Sequence, residues 1–154
     1  MKYLSAVLVC RGCNTADTLH DNNRQLSCQK CGAVYQVEDG IPNLIYDPTL
    51  KTALEKIDYD SVHGISQAGR QETYKAWEEI FGVLSIKNGK VLEIGSGTGN
   101  LTWGLMHRSN FDEVYATDLS AKYLNYIIRH FDEKKKNKTY YYACDANNLP
   151  FRER

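Results

Sequence analysis

The chain has 154 residues, with 19 Lys and Arg against 19 Asp and Glu, so its formal net charge is zero. No global field draws it toward nucleic acid or an anionic membrane surface. Hydrophobic residues make up 42%, which suits a packed core and argues against disorder. No apolar run has membrane-spanning length, and Tyr3 to Val9 is too short for a signal peptide, so the expected location is the cytoplasm.

In chain order, residues 1–46 are rich in turn residues and short β-like runs, with Leu26–Cys28 and Ala33–Val37 as predicted strands. Four of the five cysteines fall here as two pairs, Cys10-Arg11-Gly12-Cys13 and Cys28-Gln29-Lys30-Cys31, separated by 14 residues. In a chain without a secretion signal, that pairing points to metal rather than to a disulfide scaffold. Each pair can form a tight turn with both sulfurs facing one point, and a hairpin brings the points together. Four thiolates in a tetrahedron suit Zn²⁺ and complete its shell, which makes the predicted site structural. Iron in the same cage, reversible disulfides and empty thiols are the alternatives. Gly32 fits a turn whose amides point at sulfur, and the lone Cys144 reads as a buried strand residue. The turn Glu38–Pro42 closes the region, with Pro42 expected to end strand pairing.

Residues 47–88 read as a helical connector. Its best element is a helix over Gln71–Leu84, with Tyr74, Trp77, Ile80, Phe81 and Leu84 on one face. Trp77 and Trp103 are expected in the core, and Tyr59 is a candidate lid residue. The histidines His20, His63, His107 and His130 show no spacing that suggests a ligand set or a triad. The run Lys134–Lys138 reads as a solvated loop, although a basic strip could touch phosphates.

After the Asn88-Gly89 turn, strand and helix patterns alternate through residues 89–154. Lys90–Ile94 is a predicted buried strand, followed by a glycine turn and a helix from about Asn100. Glu113–Asp118 is the second strand. Ser120 then caps a helix with Tyr123, Leu124, Ile127, Ile128 and Phe131 on its apolar face. Thr139–Cys144 is the third strand. This alternation implies parallel strands with right-handed crossovers. The expected fold is therefore α/β: a partial Rossmann-like open parallel sheet of three strands, preceded by a small β-rich metal ribbon and the helical connector.

In such a sheet, ligands bind outside the carboxyl ends of the strands. The first strand delivers the chain into Gly95-Ser96-Gly97-Thr98-Gly99, where glycines let the backbone turn sharply and approach a ligand. The helix that follows offers free N–H groups to the same spot. A dinucleotide turn would need glycine at position 100, which is Asn100, and no phosphate-loop lysine follows. The pattern instead is an acid, Glu93, before Gly-x-Gly-x-Gly, suited to a ligand with an amino-acid tail. Asp118 lies 19 residues beyond Gly99 and can accept both ribose hydroxyls. Asp145 and the Ala146 amide, after the third strand, can face an adenine edge.

The segments VLEIGSGTGN, VYATDLSAKYL and CDANNLPF resemble the first three motifs of class I S-adenosylmethionine (SAM)-dependent methyltransferases, across residues 90–151. The resemblance implies that Gly95, Gly97 and Gly99, with Ser96 between them, line the methionine moiety. It implies that Glu93 helps hold that loop, Asp118 binds ribose, Leu119 packs on the adenine, and Asp145 with Ala146 reads its edge. The cysteine region, with Tyr35 to Ile45, resembles the zinc ribbon of small methyltransferase-activator proteins, in which Pro usually stands where this chain has Arg11.

A full sheet of that family has more strands than these three, and the chain ends before the fourth would begin. The expectation is an open edge on the first strand, and either a fragment of a longer enzyme or a chain completed by a partner or by self-association. The catalytic groups and the methyl acceptor are not readable. The alternative function is a non-catalytic binding or activator module that partners another chain.

Overall fold

The computed structural model describes residues 3, 5–47, 49–50, 67–86, 88–107, 110–131 and 137–152. Tyr59, His63 and Lys134–Lys136, singled out above, lie outside the described residues. No helix among the described residues is long and apolar enough to cross a membrane.

The ribbon is built from two small antiparallel sheets. Strands β1 (Val9–Cys10) and β2 (Thr15–Ala16) flank the first cysteine pair. Strands β3 (Leu19–Asp21), β4 (Gln25–Cys28), β5 (Val34–Glu38) and β6 (Ile41–Pro42) follow in spatial order. Asp39 and Gly40 both take positive φ, 50° and 79°, the geometry that suits a two-residue hairpin. Pro42 does not end the pairing as expected: it stands opposite Val37. Its place on an edge strand explains this, because a proline there costs no ladder bond. The chain then runs on through Asn43, which bridges in parallel to Ala143, and the Leu44 amide donates to the Ala143 carbonyl at 2.7 Å. Residues 41–44 thus stitch the ribbon to the edge of the second sheet.

That second sheet holds β7 (Gly89–Ile94), β8 (Phe111–Asp118) and β9 (Lys138–Ala143), all parallel, with β8 in the centre. Helices α1 (Gln67–Val83), α2 (Asn100–His107) and α3 (Ala121–Phe131) accompany it. The fold is a mixed α/β, partial Rossmann-like arrangement, as the alternation of periods predicted.

Alternation along each strand sends side chains to two faces. On one face Ala116, Tyr141 and Ala143 pack with Leu124, Ile127 and Phe131 of α3 and with Met106 of α2. On the other, Tyr115, Tyr140, Tyr142 and Cys144 share one core with Leu8, Cys10, Leu26, Tyr35 and Leu44 of the ribbon. The ribbon therefore covers this face of β8 and β9 as a third layer. Strand β7 is left out of that cover: Leu92 and Ile94 are 41% and 51% exposed. Among the described strands, β7 pairs with β8 alone.

The predicted connector helix starts earlier than expected, at Gln67, and its apolar face is only partly used. Tyr74 is buried, whereas Trp77, Ile80 and Leu84 are exposed, so Trp77 is not a core residue. The helix docks closely on α2 and β8: a Cβ on Gly104 would lie 2.1 Å from Tyr74 Cδ2, and the Phe81 ring meets Phe111 edge-on at 5.6 Å. Trp77, with Thr73 and Phe81, borders a cavity that Leu92 and Ile94 of β7 also line.

Gly99 makes the equivalent approach for α3. Its φ is +86°, and a Cβ there would lie 2.7 Å from Ile127 Cγ1. Gly99→Ala should cost about 2–5 kcal/mol, from the left-handed backbone and an overpacked core together. Denaturant unfolding of the variant checks this.

Candidate functional site at the strand ends and the cysteine cluster

The glycine turn grows directly from β7. Gly95 and Gly97 hold φ of +73° and +52°, and a Cβ on either would meet nothing within 4 Å. Glycine is needed there for the backbone, and the space beside it is open. The Ser96 amide donates to the Thr117 carbonyl at 2.8 Å and the Gly99 amide to the Ser96 carbonyl at 2.9 Å. The Ser96 side chain is buried. The turn borders a cavity of ≈ 630 Å³ whose other wall includes Thr73, Trp77 and Phe81 of α1 and Tyr123 of α3. Asn100 Oδ1, at the start of α2 on this cavity, is a buried acceptor with no hydrogen-bond partner.

Asp118 ends β8 and is tied to the turn. Its Oδ2 accepts from the Gly97 amide and its Oδ1 from the Ser120 amide, both at 2.8 Å. Ser120 caps α3 as predicted, accepting from the Tyr123 amide at 3.4 Å. Because the Cys144 amide donates to the Asp118 carbonyl at 2.9 Å, the end of β9 stands beside the end of β8. Asp145 then accepts from the Asn147 amide at 2.8 Å and caps the short 3₁₀ turn Ala146–Asn148. Ala146 is exposed, and Leu119 and Asp145 are half-buried.

The strand ends thus bring Gly95, Ser96, Gly97, Asp118, Leu119, Asp145 and Ala146 to one end of the sheet. Only the first three of these border the cavity; Asp118, Leu119, Asp145 and Ala146 lie along the adjoining strand ends, outside its lining. Gly99 faces Ile127 and Phe131 instead.

Glu93 sits beneath the turn. Its Oε2 accepts from the Thr102 hydroxyl at 2.6 Å, and its carbonyl accepts from the Thr117 hydroxyl at 2.8 Å. Burial pushes the Glu93 carboxyl up to about 7, against the opposing pull of the Thr102 hydroxyl. Its folded value lies above the ordinary 4.5, so the stability contributed by the protonated form is full below that value. It is lost as pH rises through about 7, a change on the order of 3 kcal/mol. Glu93→Gln keeps an acceptor for Thr102 and should flatten the loss of stability between pH 5 and pH 8. Thermal melts across that range check this. Thr102 itself was invisible in the sequence, since nothing in its spacing marks it as Glu93's partner.

The four paired cysteines converge. All four Sγ atoms lie within 4.8 Å of one another, with Cys10 to Cys31 at 3.6 Å and Cys13 to Cys28 at 3.7 Å. Sulfurs bound to one zinc at about 2.3 Å in a tetrahedron stand about 3.8 Å apart, whereas a disulfide needs about 2.05 Å. The donor set fits a four-coordinate metal. The turn supports it: Gly32 takes φ +75°, and the backbone of Lys30 and Cys31 hydrogen-bonds to the Cys28 sulfur. The Tyr35 hydroxyl, fully inside the core, accepts from the Gly12 amide at 2.9 Å and lies 3.3 Å from Cys10 Sγ. Cys144 is buried apart from this cluster, and burial pushes its thiol up to about 12.

The described histidines form no cluster with one another or with the cysteines. His107 Nε2 meets the Phe131 carbonyl and His130 Nδ1 the Tyr126 carbonyl, at 2.9 and 2.8 Å, while His20 is exposed.

No curated protein matches the chain. Residues 91–154, from β7 through the strand ends just described, match the protein family described as a methyltransferase domain, which supports a methyltransferase function for that part of the chain.

Proposed function

We propose that this chain binds SAM at the strand ends and is the cofactor-binding part of a SAM-dependent methyltransferase, with a structural zinc ion in its cysteine cluster. The observation that carries the reading is the joining of three adjacent strand ends by hydrogen bonds. The Asp118 carboxylate holds the Gly97 amide at 2.8 Å, and the Asp118 carbonyl holds Cys144 beside it.

Gly95, Ser96 and Gly97 would hold the methionine tail, with Glu93 beneath the turn and the unpartnered Asn100 Oδ1 facing it. Gly99 supports that turn through its packing on α3. Asp118 would accept the ribose hydroxyls, Leu119 would lie on the adenine, and Asp145 with Ala146 would meet its edge. The cofactor supplies a methyl group already activated on a sulfonium. The protein's part is alignment of acceptor and methyl, and removal of a proton where the acceptor carries one. Cys10, Cys13, Cys28 and Cys31 would complete the zinc shell, leaving no open position for chemistry.

Titration calorimetry of the purified chain with SAM and S-adenosylhomocysteine tests the cofactor assignment. Saturable one-to-one binding of both, with none of NADH, is expected. No heat with either ligand would favour the non-catalytic activator module.

The exposed Leu92 and Ile94, and the side of β7 that no other described strand pairs with, support a second part of the reading. A further strand pairs there, from the rest of a longer enzyme, a second copy or a partner chain. Molecular mass in solution should exceed that of one chain, or rise on addition of the partner; a monodisperse 17.6 kDa species at high concentration counts against self-association.

A further inference from the structure

The loop Asp145–Asn148 is tied at both ends by the ribbon. Upstream, the Leu44 amide donates to the Ala143 carbonyl at 2.7 Å. Downstream, the Val9 amide donates to the Pro150 carbonyl at 2.8 Å and the Arg152 amide to the Val7 carbonyl at 3.1 Å. These bonds frame an antiparallel bridge between Leu8 and Phe151. Arg11, inside the first cysteine pair, donates from Nη1 to the Leu149 carbonyl at 3.3 Å and to Asn14 Oδ1 at 3.0 Å. The Arg152 guanidinium pairs with Asp17, just beyond the same cysteine turn. By contrast, the loop's own bonds are local: Asp145 accepts from the Asn147 amide and side chain, and residues 146–148 are exposed.

We propose that the first cysteine turn, acting through Arg11, is a positioning element for the loop that carries Asp145 and Ala146, so that the ribbon sets cofactor affinity from outside the site. The inference rests on the cofactor reading above. A loop held mainly by its flanks opens locally when one flank loosens. Apparent affinity then falls by the fraction of molecules that keep the binding-competent loop. Arg11 touches no part of the glycine turn and is not one of the four sulfur donors, so its role is separable from both.

The test uses the full chain with metal bound. Arg11→Met keeps the apolar stem and removes every donor; Arg11→Lys keeps one. Metal content, hydrogen exchange at residues 145–152 and S-adenosylhomocysteine affinity are read for each. Arg11→Met should retain one metal per chain, exchange those amides roughly tenfold faster, and bind about tenfold more weakly. Arg11→Lys should recover most of both. Wild-type exchange and affinity in Arg11→Met overturn the proposal. So does acceleration spread equally over β7, β8 and β9, which would mark a merely structural residue. A wild-type chain that binds no S-adenosylhomocysteine overturns the cofactor reading instead, and the wild-type titration alone identifies that outcome.

Discussion

Replacing Cys13 by Ser should abolish stoichiometric zinc binding and lower the melting temperature of the chain by about 10 °C or more. Structural zinc contributes about 10–16 kcal/mol to small ribbon-sized folds, against about 5–15 kcal/mol for the whole stability of an ordinary domain. A serine hydroxyl is a poor substitute for a thiolate, so most of that term disappears. The damage spreads because the ribbon is a layer of the larger core. Leu8, Leu26, Tyr35 and Leu44 pack with Tyr115, Tyr140 and Tyr142, and an unfolded ribbon uncovers that tyrosine face. Elemental analysis and thermal melts of the variant check both parts. Full zinc content with an unchanged melt would remove Cys13 from the ligand set.

The second large effect is at Asp118. Asp118→Ala should reduce SAM affinity at least a hundredfold, close to abolition in a calorimetric titration. Two losses combine. The variant has no acceptor for the ribose hydroxyls, and it frees the Gly97 and Ser120 amides that the carboxylate holds at 2.8 Å. Each hydrogen bond to a charged group contributes about 1.5–3 kcal/mol, and about 1.4 kcal/mol is a factor of ten in binding. Asp118→Asn, which keeps one acceptor oxygen, should fall between. A variant that is destabilised yet binds SAM normally would confine Asp118 to a role in holding the turn.

The placement of the strand-end residues was legible because its determinants are local. Gly95 and Gly97 stand where φ is positive, and Asp118 and Asp145 were marked by their places after alternating strands. The two Cys-x-x-Cys pairs were equally plain. What escaped the sequence depends on partners far along the chain. Tyr115, Tyr140 and Tyr142 alternate within strands, but only the folded molecule shows that the ribbon, rather than a helix, covers them. Thr102 meets Glu93 because a helix crosses beneath a strand. Gly99 reads as one more glycine of the turn, yet its missing Cβ makes room for Ile127. Trp77 lies on the same predicted helical face as the buried Tyr74, but it borders the open cavity and stays 40% exposed. Pro42 pairs because its strand is an edge, which periodicity does not reveal.

On the proposed reading, three strand ends together form one nucleoside site with an amino-acid arm. Amide chemical shifts followed while S-adenosylhomocysteine is added to the isotope-labelled chain test it most directly. Gly95, Ser96 and Gly97, Leu119, and Asp145 with Ala146 should shift in one saturable transition, while the cysteine turns respond weakly. Shifts confined to the cavity wall of α1, or absent at Leu119 and Ala146, would contradict it.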